Sequence, residues 1–233
     1  MRLDGYLVKE LGIQSRTKAQ NYIKQGYVSV DGVVITKPSF DIEDQEVVLK
    51  EFKDYVSRAA FKLVNFLDEI DIALQDKEAL DIGSSTGGFS EVLLEQGVRS
   101  ITAVDVGKDQ LHPKIRDDKR VDLYEQTDIR DFSHDPFDVV VSDVSFISLL
   151  KIMDKINELA SKDIILLFKP QFEVGLHVKR DKKGVVKDQK AIQKAMFAFE
   201  DKATLLGWKL VKKSPSAITG KDGNLEYCYY FVK

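Results

Sequence analysis

Residues 79–89, ALDIGSSTGGF, constrain this chain more than any other stretch. The apolar start reads as a buried strand, Asp81 stands at its end, and Gly83, Gly87 and Gly88 open a turn into a helix that begins at Phe89. A strand, a glycine turn and a helix N-terminus in that order set backbone N–H groups beside a bound small molecule. A second apolar run, SITAVDVG, ends in Asp105, seventeen residues after Gly88. A carboxylate there accepts hydrogen bonds from ribose hydroxyls. The two runs together predict a parallel sheet holding an adenosine-containing cofactor at its edge.

From Ser57 onward, helix and strand patterns alternate. Helices are expected over Ser57–Ile70, Phe89–Gln96, Ile147–Ala160 and Asp188–Leu206. Strands are expected over Ala79–Ile82, Ser100–Val106, Val121–Glu125, Phe137–Ser142, Asp163–Phe168, Trp208–Lys213 and Glu226–Val232. The cores VVV and IILLF are apolar throughout, as in strands covered on both faces. The expected fold is α/β, a doubly wound Rossmann-like sheet with an antiparallel last strand.

The first fifty residues follow another pattern. Leu3, Tyr6, Leu7 and Leu11 fall at helical spacing, which predicts a helix over Arg2–Leu11. Ser15 is placed to cap a second helix, Arg16–Lys24. YVSVDGVVI turns at Asp31-Gly32, a two-residue hairpin signal, and a strand follows over Glu46–Lys50. This small α+β unit leads into a polar linker over Lys50–Val56. The expected domains are 1–53 and 54–233.

The net charge of −3 argues against a strongly basic nucleic-acid binder, but the charge is uneven. Arg2, Lys9, Arg16, Lys18 and Lys24 outnumber the acids of the first thirty residues, and Lys179, Arg180, Lys182, Lys183, Lys187 and Lys190 crowd a second stretch. Two basic surfaces on an acidic body can hold a polyanion locally. The lone cysteine, Cys228, forms no intramolecular disulfide and builds no zinc site, so no metal is expected. No apolar run reaches the ~18 residues of a membrane span, and MRLDGYLVKE lacks a signal-peptide core. A reduced, cytoplasmic setting away from membranes is expected.

Ser85 stands where a dinucleotide fingerprint needs its second glycine, which disfavours a pyrophosphate. No G-K-[ST] follows, so the turn is not a Walker loop. Asp81 would repel phosphate and attract an ammonium. S-adenosylmethionine, with its ammonium and sulfonium, suits that sign.

ALDIGSSTGGF, AVDVG, SDVSFISL, FKPQFE and the N-terminal RLD…SR…A…IKQGYVSVDG together resemble the TlyA (haemolysin A) family, over nearly the whole chain. The resemblance implies an S4-type RNA-binding domain joined to an FtsJ-like methyltransferase. Its implied reaction is S-adenosylmethionine-dependent methylation of ribose 2′-hydroxyls of ribosomal RNA, at cytidines, with ribosomal RNA or subunits as partner. The family's Lys-Asp-Lys-Glu constellation falls on Lys62, Asp143, Lys169 and Glu226. Asp81, Gly83, Ser85, Gly87 and Phe89 would surround the methionine end of the cofactor, Asp105 the ribose and Asp128 the adenine amino group. Arg2, Arg16, Lys18 and Lys24 would hold RNA, and Lys179, Arg180, Lys182 and Lys183 would clamp it over the site. Two departures stand out: Ala59-Ala60 where the family usually has two glycines, and Lys108-Asp109 where it commonly has tyrosine and glycine.

A ribose hydroxyl is a weak nucleophile whose proton loss must be assisted, and Lys169 is the candidate for that step. An ordinary lysine titrates near ~10.4, which makes it a poor base at neutral pH. Two other classes stay open at this stage. One is a non-catalytic RNA-binding or ribosome-assembly factor, the other a membrane-lytic haemolysin, against which the lack of a long apolar or basic amphipathic segment speaks.

Overall fold

The computed structural model describes residues 1–24, 26–49 and 55–233. The chain divides into two compact units, Met1–Asp54 and Tyr55–Lys233. The linker expected over Lys50–Val56 lies, up to residue 54, outside the described residues, as does the last residue of the strand expected over Glu46–Lys50.

The first unit contains α1 (Leu3–Lys9), α2 (Arg16–Lys24) and an antiparallel sheet of β1 (Val28–Val30), β2 (Val33–Val34) and β3 (Val47–Leu49) in the order β2-β1-β3. Asp31 and Gly32 join β1 to β2 with φ of 49° and 78°, the backbone such a hairpin turn requires. Ser15 Oγ accepts from the Lys18 N–H at 3.2 Å at the start of α2. Leu3, Leu7, Ala19, Ile23 and Val28 are fully buried between helices and sheet.

A charge is buried with them. Asp4 has no exposed surface, yet accepts from Arg2 Nε and Nη2 (3.1 and 3.0 Å), Arg16 Nη2 (3.0 Å) and Gln20 Nε2 (2.8 Å). Arg2 above all, then Arg16 and Gln20, hold its carboxyl well below the usual range against the pull of burial. Asp4→Asn is expected to cost about 1–2 kcal/mol, the lower part of the range for charged hydrogen bonds because both guanidinium groups are half in solvent. Hydrogen exchange in residues 1–24 would then speed about tenfold. A lowered carboxyl stabilises the fold above the ordinary carboxylate range and loses that contribution as pH falls. The gap between wild type and Asp4→Asn therefore narrows on acidification.

The second unit opens with α3 (Ala59–Leu67) and continues through β4 (Glu78–Ile82), α4 (Gly88–Glu95), β5 (Ser100–Val104), α5 (Pro113–Arg116), β6 (Val121–Tyr124) and β7 (Phe137–Ser142). It ends with α6 (Met153–Leu159), β8 (Ala160–Phe168), α7 (Pro170–Glu173), α8 (Gln189–Leu205), β9 (Lys209–Pro215) and β10 (Tyr227–Val232). The seven strands lie in the order β6-β5-β4-β7-β8-β10-β9. β4 to β8 are parallel, and β10 is antiparallel to both β8 and β9. Alternate strand residues feed two cores. Ala79, Val139, Val141 and Ile165 pack with Leu63 and Phe66 of α3 and Val92 and Leu93 of α4. Leu80, Val140, Ile164 and Leu166 pack with Ile156 of α6 and Phe199 of α8. This two-sided burial is why VVV and IILLF carry no polar face.

The expected elements shift in three places. The helix expected over Ile147–Ala160 splits into a 3₁₀ turn, Leu149–Lys151, and α6. Ala160, expected to end that helix, instead pairs with Phe137, so β8 starts three residues before the expected Asp163. Two one-turn helices, α5 and α7, are new. Each has proline in its first turn, where the missing N–H costs nothing.

Candidate active site

β4 and β7 are neighbours in register, with Ile82 opposite Ser142, so Gly83 and Asp143 leave the sheet side by side. This is where the strand order reverses, between β4 with its earlier neighbours and β7 with its later ones. Ligands of doubly wound sheets bind at such a point.

The glycine turn takes its shape from close approaches. Gly83 has φ +78°, and a Cβ there would meet Val144 Cγ1 at 3.0 Å. A Cβ on Gly88 would fall 2.1 Å from Ser57 Oγ and 2.9 Å from the Ala60 nitrogen. Ser85, at the position that disfavoured a dinucleotide, takes φ +47° without being glycine. Asp105 holds it there: its Oδ2 accepts from the Ser85 N–H at 2.8 Å and its Oδ1 from the Gly107 N–H at 2.7 Å.

In front of the turn lies a cavity of about 470 Å³, lined among others by Gly83, Ser85, Asp105, Asp128, Asp143 and Phe146. Its size is that of a pocket for a drug-sized ligand. Asp128 reaches it while paired to Arg130, whose Nε lies 2.9 Å away, and that hydrogen bond above all takes its carboxyl down to about 2. Three residues expected around the cofactor do not line the cavity: Asp81, Gly87 and Phe89. Gly87, at φ +94°, is the N-cap just before α4, and Phe89 is buried in the core. Asp81 is fully buried behind the turn, where its Oδ2 accepts from Ser90 Oγ at 2.6 Å and its Oδ1 has no protein partner. Burial first, then the negative charges of Asp143 and Asp105, raise its carboxyl to about 7.

Beside the cavity, four residues from four separate segments converge. Lys62 on α3 donates to Glu226 Oε2 at 2.7 Å and lies 3.7 Å from Asp143 Oδ2. Lys169, at the end of β8, lies 2.6 Å from Asp143 Oδ1 and donates to Ser145 Oγ at 2.8 Å and to the Asp143 carbonyl at 3.2 Å. Glu226 accepts on its other oxygen from Gln171 Nε2 at 3.1 Å. The side chains of both lysines and Glu226 are less than a tenth exposed. Two cations and two anions thus form one closed network, the arrangement in which buried charges survive. Ser145 and Gln171, which complete it, belong to SDVSFIS and FKPQFE. They escaped the sequence reading, which took only the charged residues from those motifs.

The cationic candidates divide. Lys24, Lys179, Lys182 and Lys183 are exposed, and Lys18 is half-buried on α2. Arg2 and Arg16 are half-committed to Asp4. Arg180, expected to face RNA, is turned inward: its guanidinium donates to the carbonyls of Gln171, Gly175 and Val178, each at 3.0 Å, and of Leu176 at 3.4 Å. It braces its own loop from inside.

Both departures from the family pattern have a place in the structure. Ala60 is fully buried against the glycine turn, its methyl part of the core around Leu63 and Val92. Asp109 takes φ +52°, a region that glycine enters without strain. Among the described residues, no group of three or more His, Cys, Asp or Glu stands together as a metal site, and no helix is long and apolar enough to cross a membrane.

Comparison with known proteins agrees with this architecture. Residues 55–233 match the family model for FtsJ-like methyltransferases, and residues 1–48 match that of the S4 domain. A Campylobacter jejuni protein, "23S rRNA (cytidine-2′-O)-methyltransferase TlyA", is 47% identical with all of both chains covered. Hemolysin A of Brachyspira hyodysenteriae is 39% identical, again with all of both chains covered. The solved structure "Putative hemolysin from Streptococcus thermophilus" superposes with a TM-score of 0.73 at 32% identity, over 100% of this chain and 88% of that one. With the two-unit fold, the four-residue network and these full-length relatives together, the chain belongs to the TlyA family, in which an S4 domain precedes an FtsJ-like methyltransferase domain.

Proposed function

We propose that this chain methylates the 2′-hydroxyl of a cytidine ribose in ribosomal RNA, with S-adenosylmethionine as donor. The observation that carries the reading is the position of Lys169: its nearly buried amine lies 2.6 Å from Oδ1 of Asp143, which also lines the cavity. S-adenosylmethionine supplies an electrophilic methyl group on a sulfonium. Asp105 is suited to accept from its ribose hydroxyls, since each carboxylate oxygen keeps a lone pair beyond the backbone N–H it already holds. Asp128 can accept from the adenine amino group on Oδ2, since its Oδ1 already takes both the Arg130 backbone N–H and Nε.

The protein's part is then positioning and proton handling. Lys169 orients the attacking 2′-oxygen and, as the neutral amine, takes up its proton as the new carbon–oxygen bond forms and the methyl group's bond to sulfur breaks. Beside its ion pair with Asp143, the Lys169 amine donates to Ser145 Oγ and to the Asp143 carbonyl, and these contacts fix where it stands. Lys62 and Glu226 fix Asp143 from the opposite side. Residues 1–53 serve as the S4-type RNA-binding domain and 54–233 as the catalytic domain. RNA contacts come from Arg2, Arg16, Lys18 and Lys24 and from the loop bearing Lys179, Lys182 and Lys183. Structured RNA is held largely through shape and backbone, for which such scattered cations suffice. A ribosomal substrate places the working protein in the cytoplasm.

The test is transfer of labelled methyl from S-adenosylmethionine to purified ribosomal subunits and to naked ribosomal RNA. Label is expected in RNA, at a nucleotide whose 3′ phosphodiester resists alkali because its 2′-oxygen is blocked. Cofactor binding without transfer to any ribosomal species would point to an assembly factor. Lysis of red cells by the purified protein would point to a membrane-active one.

A further inference from the structure

Lys169 opens directly into the one-turn helix α7, Pro170–Glu173, whose last residue the network above does not include. Glu173 is partly buried and spends both carboxylate oxygens on one neighbouring segment. Its Oε2 accepts from Ser148 Oγ at 2.6 Å and its Oε1 from the Leu149 N–H at 2.8 Å. Burial raises its carboxyl and the Ser148 and Leu149 donors oppose that rise. Ser148 Oγ in turn accepts from the Leu150 N–H at 3.2 Å, so Glu173 and Ser148 together start the 3₁₀ turn Leu149–Lys151.

The segment anchored in this way matters for the chemistry. Val144, Ser145, Phe146 and Ile147 all line the cavity. Ser145 is the hydroxyl on Lys169, and Phe146 sits in the left-handed region at φ +66° while 92% exposed. A bulky exposed residue does not hold such a backbone by its own packing; the surrounding structure must impose it. One end of the segment is fixed by β7, through Asp143. The other end is held by Glu173, beside Lys169 on Ser145, the Phe146 ring 5.2 Å from that of Phe172 in α7, and the packing of Ile147 and Leu149 in the core.

We propose that Glu173 is a positioning residue for Lys169: it clamps the 144–149 segment at Ser148 and Leu149 and so sets Ser145 against the lysine that precedes it on the same strand-to-helix turn. Lys169 and its hydroxyl partner are then held in register by one short piece of chain, with the lysine at its start and the clamp at its end. The proposal rests on the methyltransferase reading given above.

The test uses the full-length protein and three variants, Glu173→Gln, Ser145→Ala and the double variant. Glu173→Gln keeps size and one acceptor but loses the second. Methyl transfer to ribosomal subunits is expected to show kcat about tenfold lower in each single variant, because small misplacements of a reacting group have effects of this order. KM for the RNA should stay within about twofold, and the double variant should be no slower than the slower single one, since both act on one contact. Glu173→Asp, which keeps the charge at shorter reach, should recover part of the rate. Hydrogen exchange in the amides of residues 145–150 should quicken about tenfold in Glu173→Gln, a readout that needs no activity. Unchanged exchange there overturns the clamp. Faster exchange with additive kinetic losses and a raised KM overturns the link to Lys169 and leaves Glu173 a purely structural residue. A wild-type chain that transfers no methyl group to any ribosomal species overturns the methyltransferase reading and, with it, the positioning role; the exchange result then stands for the clamp alone.

Discussion

Lys169→Met is expected to lower methyl transfer by about a thousandfold, within the range for loss of a general base, while S-adenosylmethionine binding stays within about twofold. The separation follows from geometry. The cavity is lined by Asp105, Asp128 and Asp143 but not by Lys169, which stands behind Asp143. Methionine fills similar space, so the site keeps its packing. Asp143 retains a cation in Lys62, 3.7 Å from its Oδ2. Lys169→Arg sharpens the result. Arginine restores the positive charge and its hydrogen bonds but stays protonated in proteins. If Lys169 moves the proton, the arginine variant is as inactive as the methionine one; if the lysine only supplies charge, much of the rate returns. The measurement is initial-rate transfer beside equilibrium binding of the cofactor. A parallel loss of binding and rate would sink the assignment of Lys169 to chemistry.

Much of this site could be read from the sequence because its main residues sit at strand ends. Asp105, Asp143 and Lys169 each follow an apolar run, and the topology brings such ends to one edge. What stayed hidden depends on side-chain direction. Asp81 looked like a ligand for an ammonium, but with φ and ψ of a strand residue it points into the core, toward Ser90 of α4. Arg180 looked like one more cation of a basic loop, but the loop folds back and supplies it with carbonyls. Neither turn has a sequence signal. In the N-terminal unit the helices and hairpin followed from periodicity and from Asp31-Gly32, whereas the burial of Asp4 did not, because an acid in a first helical turn is ordinarily a solvated one. Glu173, Gln171 and Ser145 were in view inside the quoted motifs. Their roles are contacts between segments far apart in the chain, and spacing does not encode those.

The second large effect falls on stability, at the pair formed by Lys62 and Glu226. Glu226 is 2% exposed and Lys62 8%. Among the described residues, Lys62→Met leaves the buried Glu226 with a neutral amide as its remaining hydrogen-bond partner, the Gln171 Nε2 at 3.1 Å. Breaking a buried pair from one side costs about 3–5 kcal/mol, because the stranded charge keeps its desolvation penalty and loses its compensation. At roughly 2–4 °C per kcal/mol for a unit of this size, melting of the C-terminal unit drops by about 10 °C. The chain's one tryptophan, Trp208, lies buried in that unit, so its fluorescence follows this transition and not the N-terminal one. Glu226→Leu alone strands Lys62 less severely, since Asp143 stands 3.7 Å away, and its loss should be the smaller of the two. The double variant Lys62→Met, Glu226→Leu should recover most of the stability, as apolar replacements of whole buried ion pairs commonly do. It should stay inactive, with Asp143 no longer fixed from the side opposite Lys169. A double variant that melts like Lys62→Met would mean that the pair holds the fold through its shape and hydrogen bonds. A double variant that both melts and turns over like wild type would remove these two residues from the catalytic network altogether.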